Sequence, residues 1–261
     1  MKISTIIQAR MTSTRLPGKV LKEVRGKPLI EYMIQRVSPS EKIDEIVVAT
    51  SQSFCDNPIV EWCSKNNISC FRGSLDDVLD RFYQCTISRN PIPDVIVRLT
   101  ADCPLHHYNV VDFSVSEFLN QDLDYFTNSF EPYYEDGFDV EVLKFESLRK
   151  AWENAKSLSE REHVTLWIRN NHNFKRGFKK YRDNYKLKLS VDSNDDFILI
   201  EKILDNLYCI DPLFTIDEVI SLLNDHPEYL QINKCSKINE GLEISLRNEK
   251  KNFNNMRNKN G

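Results

Sequence analysis

Ile3-Ser4-Thr5-Ile6-Ile7-Gln8-Ala9-Arg10-Met11-Thr12-Ser13-Thr14-Arg15-Leu16-Pro17-Gly18-Lys19 is the stretch on which the reading of this chain turns. Its first residues form an apolar, β-branched run, the pattern of a buried strand. The run breaks into a polar loop that carries three cations, Arg10, Arg15 and Lys19. Small residues (Ala9, Thr12, Ser13, Thr14) separate them, Pro17-Gly18 turns the chain, and Pro28 suits the start of a helix. Hydroxyls, spaced cations and little bulk at a strand end suit a polyphosphate. Backbone N–H groups can approach its oxygens, and guanidinium forks match them in pairs. The plainer reading is a solvated surface loop; cations directly after the first strand favour the phosphate. The stretch contains neither G-x-x-x-x-G-K-[ST] nor G-x-G-x-x-G, which disfavours a P-loop kinase or a Rossmann dinucleotide site.

Working outward, continuous apolar runs at 46–50, 69–71 and 95–100 read as further strands. Helical spacing at 28–37, 57–67 and 76–87 separates them. Strands without alternation, divided by helices, predict a mostly parallel sheet covered on both faces, an α/β fold. Ligands of such sheets bind beyond the carboxyl ends of the strands. The opening loop, Arg72-Gly73-Ser74 and Ala101-Asp102-Cys103-Pro104 all fall at such ends. After about residue 122 the pattern loosens. Strands are expected at 124–128, 138–143 and 186–191, a turn at 133–137, and helices at 146–155, 160–170, 195–207 and 217–223. The expected organisation is a single domain over 1–245, then a tail at 246–261, rich in Asn, Lys and Arg, without fixed structure.

The 261 residues are 41% hydrophobic and 28% charged, an ordinary globular composition. A net charge of -4 argues against a broad nucleic-acid face, so a nucleotide must be held by locally placed cations. Seven Cys stand at 55, 63, 70, 85, 103, 209 and 235. Their odd number and the lack of a C-x-x-C pair argue for reduced thiols in a cytoplasmic setting, against a disulfide frame or a zinc site. The sequence shows no signal peptide and no apolar stretch long enough to span a membrane.

Two aspartates invite a metal. Asp102 follows the fourth strand run, and Asp192 follows the alternating run at 186–191. A carboxylate at a strand end facing a triphosphate is a standard holder of Mg²⁺, which completes its shell with phosphate and water. The plainer reading of Asp102 is a turn residue accepting backbone hydrogen bonds. Asp195 reads as a helix N-cap. Asp77 and Asp76 fit the first turn of the 76–87 helix, with Arg81 paired to Asp77 at i+4. His106 and His107 read as solvated loop residues.

Ala9-Arg10-x-x-Ser13-x-Arg15-Leu16-Pro17-x-Lys19 resembles the nucleotide-binding signature of the cytidylyltransferase family. That family makes CMP-activated acidic sugars such as CMP-sialic acid and CMP-KDO. The nearest branch resembles the SpsF-like proteins of spore coat polysaccharide synthesis. The resemblance implies a Rossmann-like three-layer nucleotidyltransferase fold with a small dimerisation and acceptor lobe. It implies CTP and an acidic sugar-like acceptor as substrates, surface polysaccharide or glycoconjugate synthesis as the setting, and a homodimer with an arm at 125–142. Ala9, Arg10, Ser13, Arg15 and Lys19 would hold the phosphates. Arg72, Gly73, Asp77, Arg81 and Ala101 would lie beside the nucleotide. Asp102 and Asp192 match the family's metal carboxylates. Glu160-Arg161-Glu162-His163-Val164 resembles a motif of the SpsF-like branch. Asp139, Glu141, Arg161 and His163 would serve the acceptor, Arg161 gripping its acid group, Glu141 its hydroxyls and His163 assisting proton removal. The rival readings are a glycosyltransferase of related fold, which would release no pyrophosphate from CTP, and a nucleotide-binding module without turnover.

Overall fold

The computed structural model describes residues 1–129, 136–179, 187–238 and 240–259, with side chains up to 251. Strand β1 (Ile3–Gln8) lies third in a seven-stranded sheet, beside its central strand. Around it stand β4 (Glu45–Ser51), β5 (Ser69–Gly73), β6 (Val95–Thr100), β7 (Tyr125–Thr127), β8 (Glu141–Lys144) and β9 (Arg176–Phe178), in the order β5-β4-β1-β6-β8-β7-β9. A small ribbon of β2 (Glu23–Val24) and β3 (Lys27–Pro28) stands apart. Pairing is parallel from β5 through β6, and β8 runs against both of its neighbours. The mostly parallel α/β sheet is as the sequence predicts.

Helices cover both faces. They are α1 (Leu29–Val37), α2 (Asn57–Lys65), α3 (Val78–Ile87), α4 (Tyr108–Asn120), α5 (Phe145–Asn154), α6 (Leu158–Glu162), α7 (Leu166–Asn170), α8 (Asn194–Leu207), α9 (Ile216–Asp225) and α10 (Glu240–Lys259). Alternate residues of β1 serve different layers. Ile3 and Ile7 join the core under α1, α4, α8 and α9, whereas Ile6 joins the core under α3 and α5. A strand apolar on both sides is buried on both sides, which is why 3–7 reads as a continuous run.

The chain moves outward from β1 to β4 and β5, then returns to the other side of β1 for β6. This reversal places the crevice of the sheet between the carboxyl ends of β1 and β6. Register there is tight: Gln8 faces Thr100, and the Ala101 N–H donates to the Gln8 carbonyl at 3.0 Å.

Several expectations change. The 160–170 helix is two short helices, α6 and α7, broken where Val164 adopts φ 46°, a backbone region unfavourable for a β-branched residue. The described part of 186–191 is no strand but an extended segment with one bridge, Asp136 to Lys188. It can lie this close because Gly137, at φ 113°, has no side chain; a Cβ there would stand 2.6 Å from the Leu189 carbonyl carbon. Of the 138–143 run, only 141 onward is strand, in β8. The cap of α8 is Ser193, whose hydroxyl accepts from the Asp196 N–H while Asp196 reaches back; Asp195 is not the cap. His106 and His107 are buried, not solvated: their Nε2 atoms lie 3.0 Å and 2.9 Å from the carbonyls of Asp139 and Leu213. Both ends of the expected arm at 125–142 belong to the main sheet as β7 and β8. Its middle, with Tyr133 and Tyr134 of the expected turn, lies outside the described residues. The tail expected to lack fixed structure is helical through Lys259, in α10.

Candidate active site

A cavity of about 550 Å³ opens at the crevice between β1 and β6. A smaller chamber of about 240 Å³ adjoins it, and both include Arg15, Arg98, Thr100, Asp102, His163 and Asp192 in their walls. A third cavity, of about 530 Å³, is apolar and lies at the opposite end of the sheet, around Met1, Ile92, Phe118 and Phe145. Among the described residues the chemistry-bearing side chains converge on the first two.

The opening loop forms one wall of the larger cavity through Ala9, Arg10, Ser13, Thr14, Arg15 and Lys19. Its path is set by backbone bonds: the Gly18 N–H donates to the Met11 carbonyl at 2.9 Å, and Gly18 takes φ 72° to close the turn. Asp56, fully buried beyond β4, anchors the loop from behind. Its Oδ1 accepts the Met11 N–H at 2.7 Å, and its Oδ2 accepts the Ser51 N–H at 3.1 Å and hydroxyl at 2.5 Å. Arg10 is exposed in the cavity with no partner among the described residues.

Asp102 and Asp192 meet although they are far apart in sequence. The Val191 N–H donates to the Asp102 carbonyl at 2.8 Å, which seats the second aspartate beside the first. Between them stands Lys19, whose Nζ donates to Asp102 Oδ2 at 2.7 Å, Asp192 Oδ1 at 2.8 Å and the Val191 carbonyl at 2.6 Å. All three ammonium hydrogens are therefore engaged within the protein. The sequence reading assigned Lys19 to phosphate; here it joins the two aspartates. Burial alone would push the Asp102 carboxyl up, but the Lys19 ammonium outweighs it and holds the group well below the usual carboxylate range. Burial likewise opposes the Lys19 charge, and the two aspartates override it, so its pKa is raised. Asp192 is lowered by the same balance, with Lys188 assisting. Lys188 is itself buried. It donates to Asp192 Oδ2 at 2.9 Å and to the Ser190 hydroxyl at 2.5 Å, and stands 3.3 Å from Asp136.

This donor set fits a hard cation of the magnesium type. Asp102 lines both cavities; the Cys103 thiol approaches its Oδ1 only to 3.6 Å, and Thr100 assists in holding the carboxylate ionised. Among the described residues no group of three or more His, Cys, Asp or Glu forms a cage. Mg²⁺ needs only one or two carboxylates when phosphates and water supply the rest.

The acceptor candidates divide. Asp139, Glu141 and His163 line the smaller chamber. Asp139 is pushed above the usual carboxylate range, first by burial and then by the Asp136 charge, which favours its protonated form; its Oδ1 has no hydrogen-bond partner among the described residues. Glu141 stays ionised: burial opposes its charge, but Arg98 beside it prevails, with Arg169 and hydrogen bonds from Thr165 and Tyr125. His163 is half-buried and its Nε2 lacks a hydrogen-bond partner. Burial lowers its pKa, which keeps the ring neutral and able to take a proton.

Arg161 is elsewhere. Its guanidinium grips Asp77, with Nε to Oδ2 at 2.9 Å and Nη2 to Oδ2 at 2.6 Å, and it faces neither chamber. That pair displaces the expected Asp77–Arg81 contact, although Asp77 does cap α3 through the Asp80 N–H. Arg81 instead donates to the Ser74 carbonyl at 2.9 Å and lines the larger cavity; burial and then the nearby Arg10 charge lower its pKa to about 10. Its Nε is buried without a partner. Arg72 ties the end of β5 to the carbonyls of Ser51 and Ser53 at 3.0 Å and 2.9 Å, so it braces the scaffold. Gly73 serves Arg81, since a Cβ there would lie 2.8 Å from the Arg81 Cγ. Ala101 lines the larger cavity.

The model of the family described as Cytidylyltransferase matches residues 4–240. The chain belongs to the cytidylyltransferase family. It is 37% identical over 237 residues to the Methanocaldococcus jannaschii protein MJ1063, covering 89% of this chain and 95% of that one. To the Spore coat polysaccharide biosynthesis protein SpsF of Bacillus subtilis it is 33% identical over 85% of this chain and 94% of SpsF. Among solved structures, a cytidylyltransferase from Leptospira borgpetersenii superposes with a TM-score of 0.82 at 31% identity, covering 88% of this chain and 97% of the other. This cytidylyltransferase-family chain is thus a nucleotidyltransferase enzyme by family and fold, and among its described residues no helix is long and apolar enough to cross a membrane.

Sequence reasoning missed Asp56, Gln8, Arg98 and Lys188. Arg98 carried a signal: it is the one charge inside the apolar run 95–100. Its Nη2 donates to Gln8 Oε1 at 2.9 Å, so β1 and β6 are pinned at the cavity floor.

Proposed function

We propose that this cytidylyltransferase couples CTP to a hydroxyl of an acidic sugar or related acceptor, giving a CMP conjugate and pyrophosphate, in surface polysaccharide or glycoconjugate synthesis. The observation that carries the reading is the junction of Asp102 and Asp192 at the shared wall of two chambers, one bounded by the Arg10–Arg15 loop and one by Asp139, Glu141 and His163. The larger chamber takes the nucleotide, and the smaller takes the acceptor.

Each residue has a physical task. Arg10, without a partner among the described residues, and Arg15 face the polyphosphate and offset charge as pyrophosphate departs. Arg81, buried beside them, contributes a further fixed donor. Asp102 and Asp192 would hold Mg²⁺, which when bound supplies Lewis-acid polarisation of the α-phosphate. Lys19 keeps both carboxylates ionised and in place. His163, lowered in pKa by burial and with no hydrogen bond to its Nε2 among the described residues, takes the proton of the attacking hydroxyl at that nitrogen. Asp139, protonated, donates to an acceptor oxygen, and Arg98 and Arg169 supply positive potential for its acid group. Holding the two reactants in adjoining chambers supplies the orientation on which such transfers mainly depend.

Pyrophosphate release is the direct test. The full chain is incubated with each of the four nucleoside triphosphates, Mg²⁺ and a panel of acidic sugars. Release that needs both CTP and an acidic sugar is expected. Release with another base, or with neutral sugars alone, would replace the corresponding half of the proposal, and near wild-type turnover by Asp102→Asn would remove the metal assignment.

A further inference from the structure

The match to the family ends at residue 240, where α10 begins, and the described part of that helix lies over the larger cavity. Gly241, Ile244, Ser245 and Asn248 form part of its wall. The helix is fastened by polar contacts to the body. The Ser245 hydroxyl donates to Glu162 at 2.7 Å, and Glu249 accepts the Ser159 hydroxyl at 2.5 Å. At its start Glu240 forms an ion pair with Nη1 of Arg15, while Nη2 of the same guanidinium stands 3.1 Å from Asp192. Ile244 and Leu246 remain substantially exposed, so little apolar area fixes the helix. Few buried apolar contacts mark an element that opens at low free energy.

We propose that Glu240 is an internal competitor for the polyphosphate of the nucleotide: its carboxylate occupies the Arg15 fork in the nucleotide-free protein, latching α10 over the cavity. The inference rests on the phosphate role given to Arg15 above. A guanidinium pairs in the same geometry with a carboxylate or with phosphate oxygens. Glu240 and a phosphate oxygen need the same Nη1 face of Arg15, so an incoming triphosphate releases Glu240 and frees the start of α10. Coupling of this kind is reciprocal: the contact that closes the helix weakens phosphate binding by the same factor.

Glu240→Gln in the full-length chain keeps size and removes the charge. Two readouts are taken: hydrogen exchange of amides 241–251 in the ligand-free protein, and calorimetric affinity for pyrophosphate and for CTP. The variant is expected to exchange faster over 241–251 and to bind pyrophosphate roughly 5- to 10-fold more tightly. Glu240→Asp should lie between the variant and the wild type, and added CTP should speed the same amides in the wild type. Unchanged exchange in Glu240→Gln would overturn the latch whatever the ligand does. Faster exchange with equal or weaker pyrophosphate affinity would overturn the competition. If neither protein binds pyrophosphate while exchange still responds, the phosphate reading of Arg15 fails together with the competition, and the latch alone stands.

Discussion

The Lys19 ammonium stands 2.7 Å from Asp102 and, through the same nitrogen, 2.8 Å from Asp192. One cation thereby cancels the repulsion of two carboxylates that the fold forces together. Removing it leaves two half-buried like charges side by side; breaking a fully buried pair costs about 3–5 kcal/mol, and their partial exposure reduces this to about 2–3 kcal/mol. Lys19→Met should lower the unfolding free energy in urea by about that amount and abolish measurable turnover. Lys19→Arg should not restore either, because a planar fork cannot replace a compact ammonium donating in three directions.

Arg161 and Asp77 tie α6 to the cap of α3, away from both chambers. The resemblance to the SpsF-like branch assigned Arg161 to the acceptor; the geometry makes it a brace. Arg161→Ala should cost about 1 kcal/mol, since the pair is bidentate but partly solvated. The KM for the acceptor should stay within twofold of wild type. A large rise in KM without loss of stability would return Arg161 to the site.

His106 supplies a pH test. Burial, against weaker help from the Asp139 carbonyl, lowers its pKa from 6.5 to about 4. Between these values the unfolded chain holds the proton and the folded chain does not. Stability must therefore fall as pH drops from 6.5 to 4 and then level off for this group. The full effect is about 3 kcal/mol at 1.36 kcal/mol per unit. Glu141, also held below its ordinary value, steepens the fall at the acid end. His106→Gln should flatten the slope specifically between pH 4 and 6.5, measured by urea unfolding at each pH.

What the sequence made legible follows from which forces are local. The strand runs 3–8, 46–50 and 95–100 are apolar on both faces, and that pattern survives without tertiary knowledge. The reversal of strand order placed Asp102 at the crevice, and a strand-end aspartate is readable in advance. Side-chain partnering was not. Arg161, Arg72 and Arg81 look alike in sequence, yet one braces α3, one braces β5 and one faces the cavity, because the fold sets the partners: Asp77 for Arg161, Ser51 and Ser53 for Arg72, and Ser74 for Arg81. The break at Val164 was hidden because 160–170 keeps helical composition through a strained residue. The tail from 246 was misread because its residues are mostly Asn, Lys and Arg, and the few apolar residues at the start of α10 stay partly exposed and leave little amphipathic stripe.

Asp56 carries the last prediction. Its carboxylate is fully buried and accepts from the Met11 N–H and from both donors of Ser51. Asp56→Ala leaves those donors without partners, which costs on the order of 3 kcal/mol. The Met11 N–H is the only one of the three within the opening loop, so its loss frees the segment between Arg10 and Arg15. Two cations that must meet a triphosphate then start from many positions, and ordering them reduces affinity. The KM for CTP should rise about tenfold, with a smaller change in kcat, because the aspartates and His163 are held by other elements: β6, the 187–191 segment and α6. Asp56→Asn should give an intermediate KM, since its carbonyl oxygen can still accept the Met11 N–H while its amide faces Ser51. Equal loss of kcat and affinity would instead place Asp56 in the support of Asp102, and the loop-anchoring account would fall.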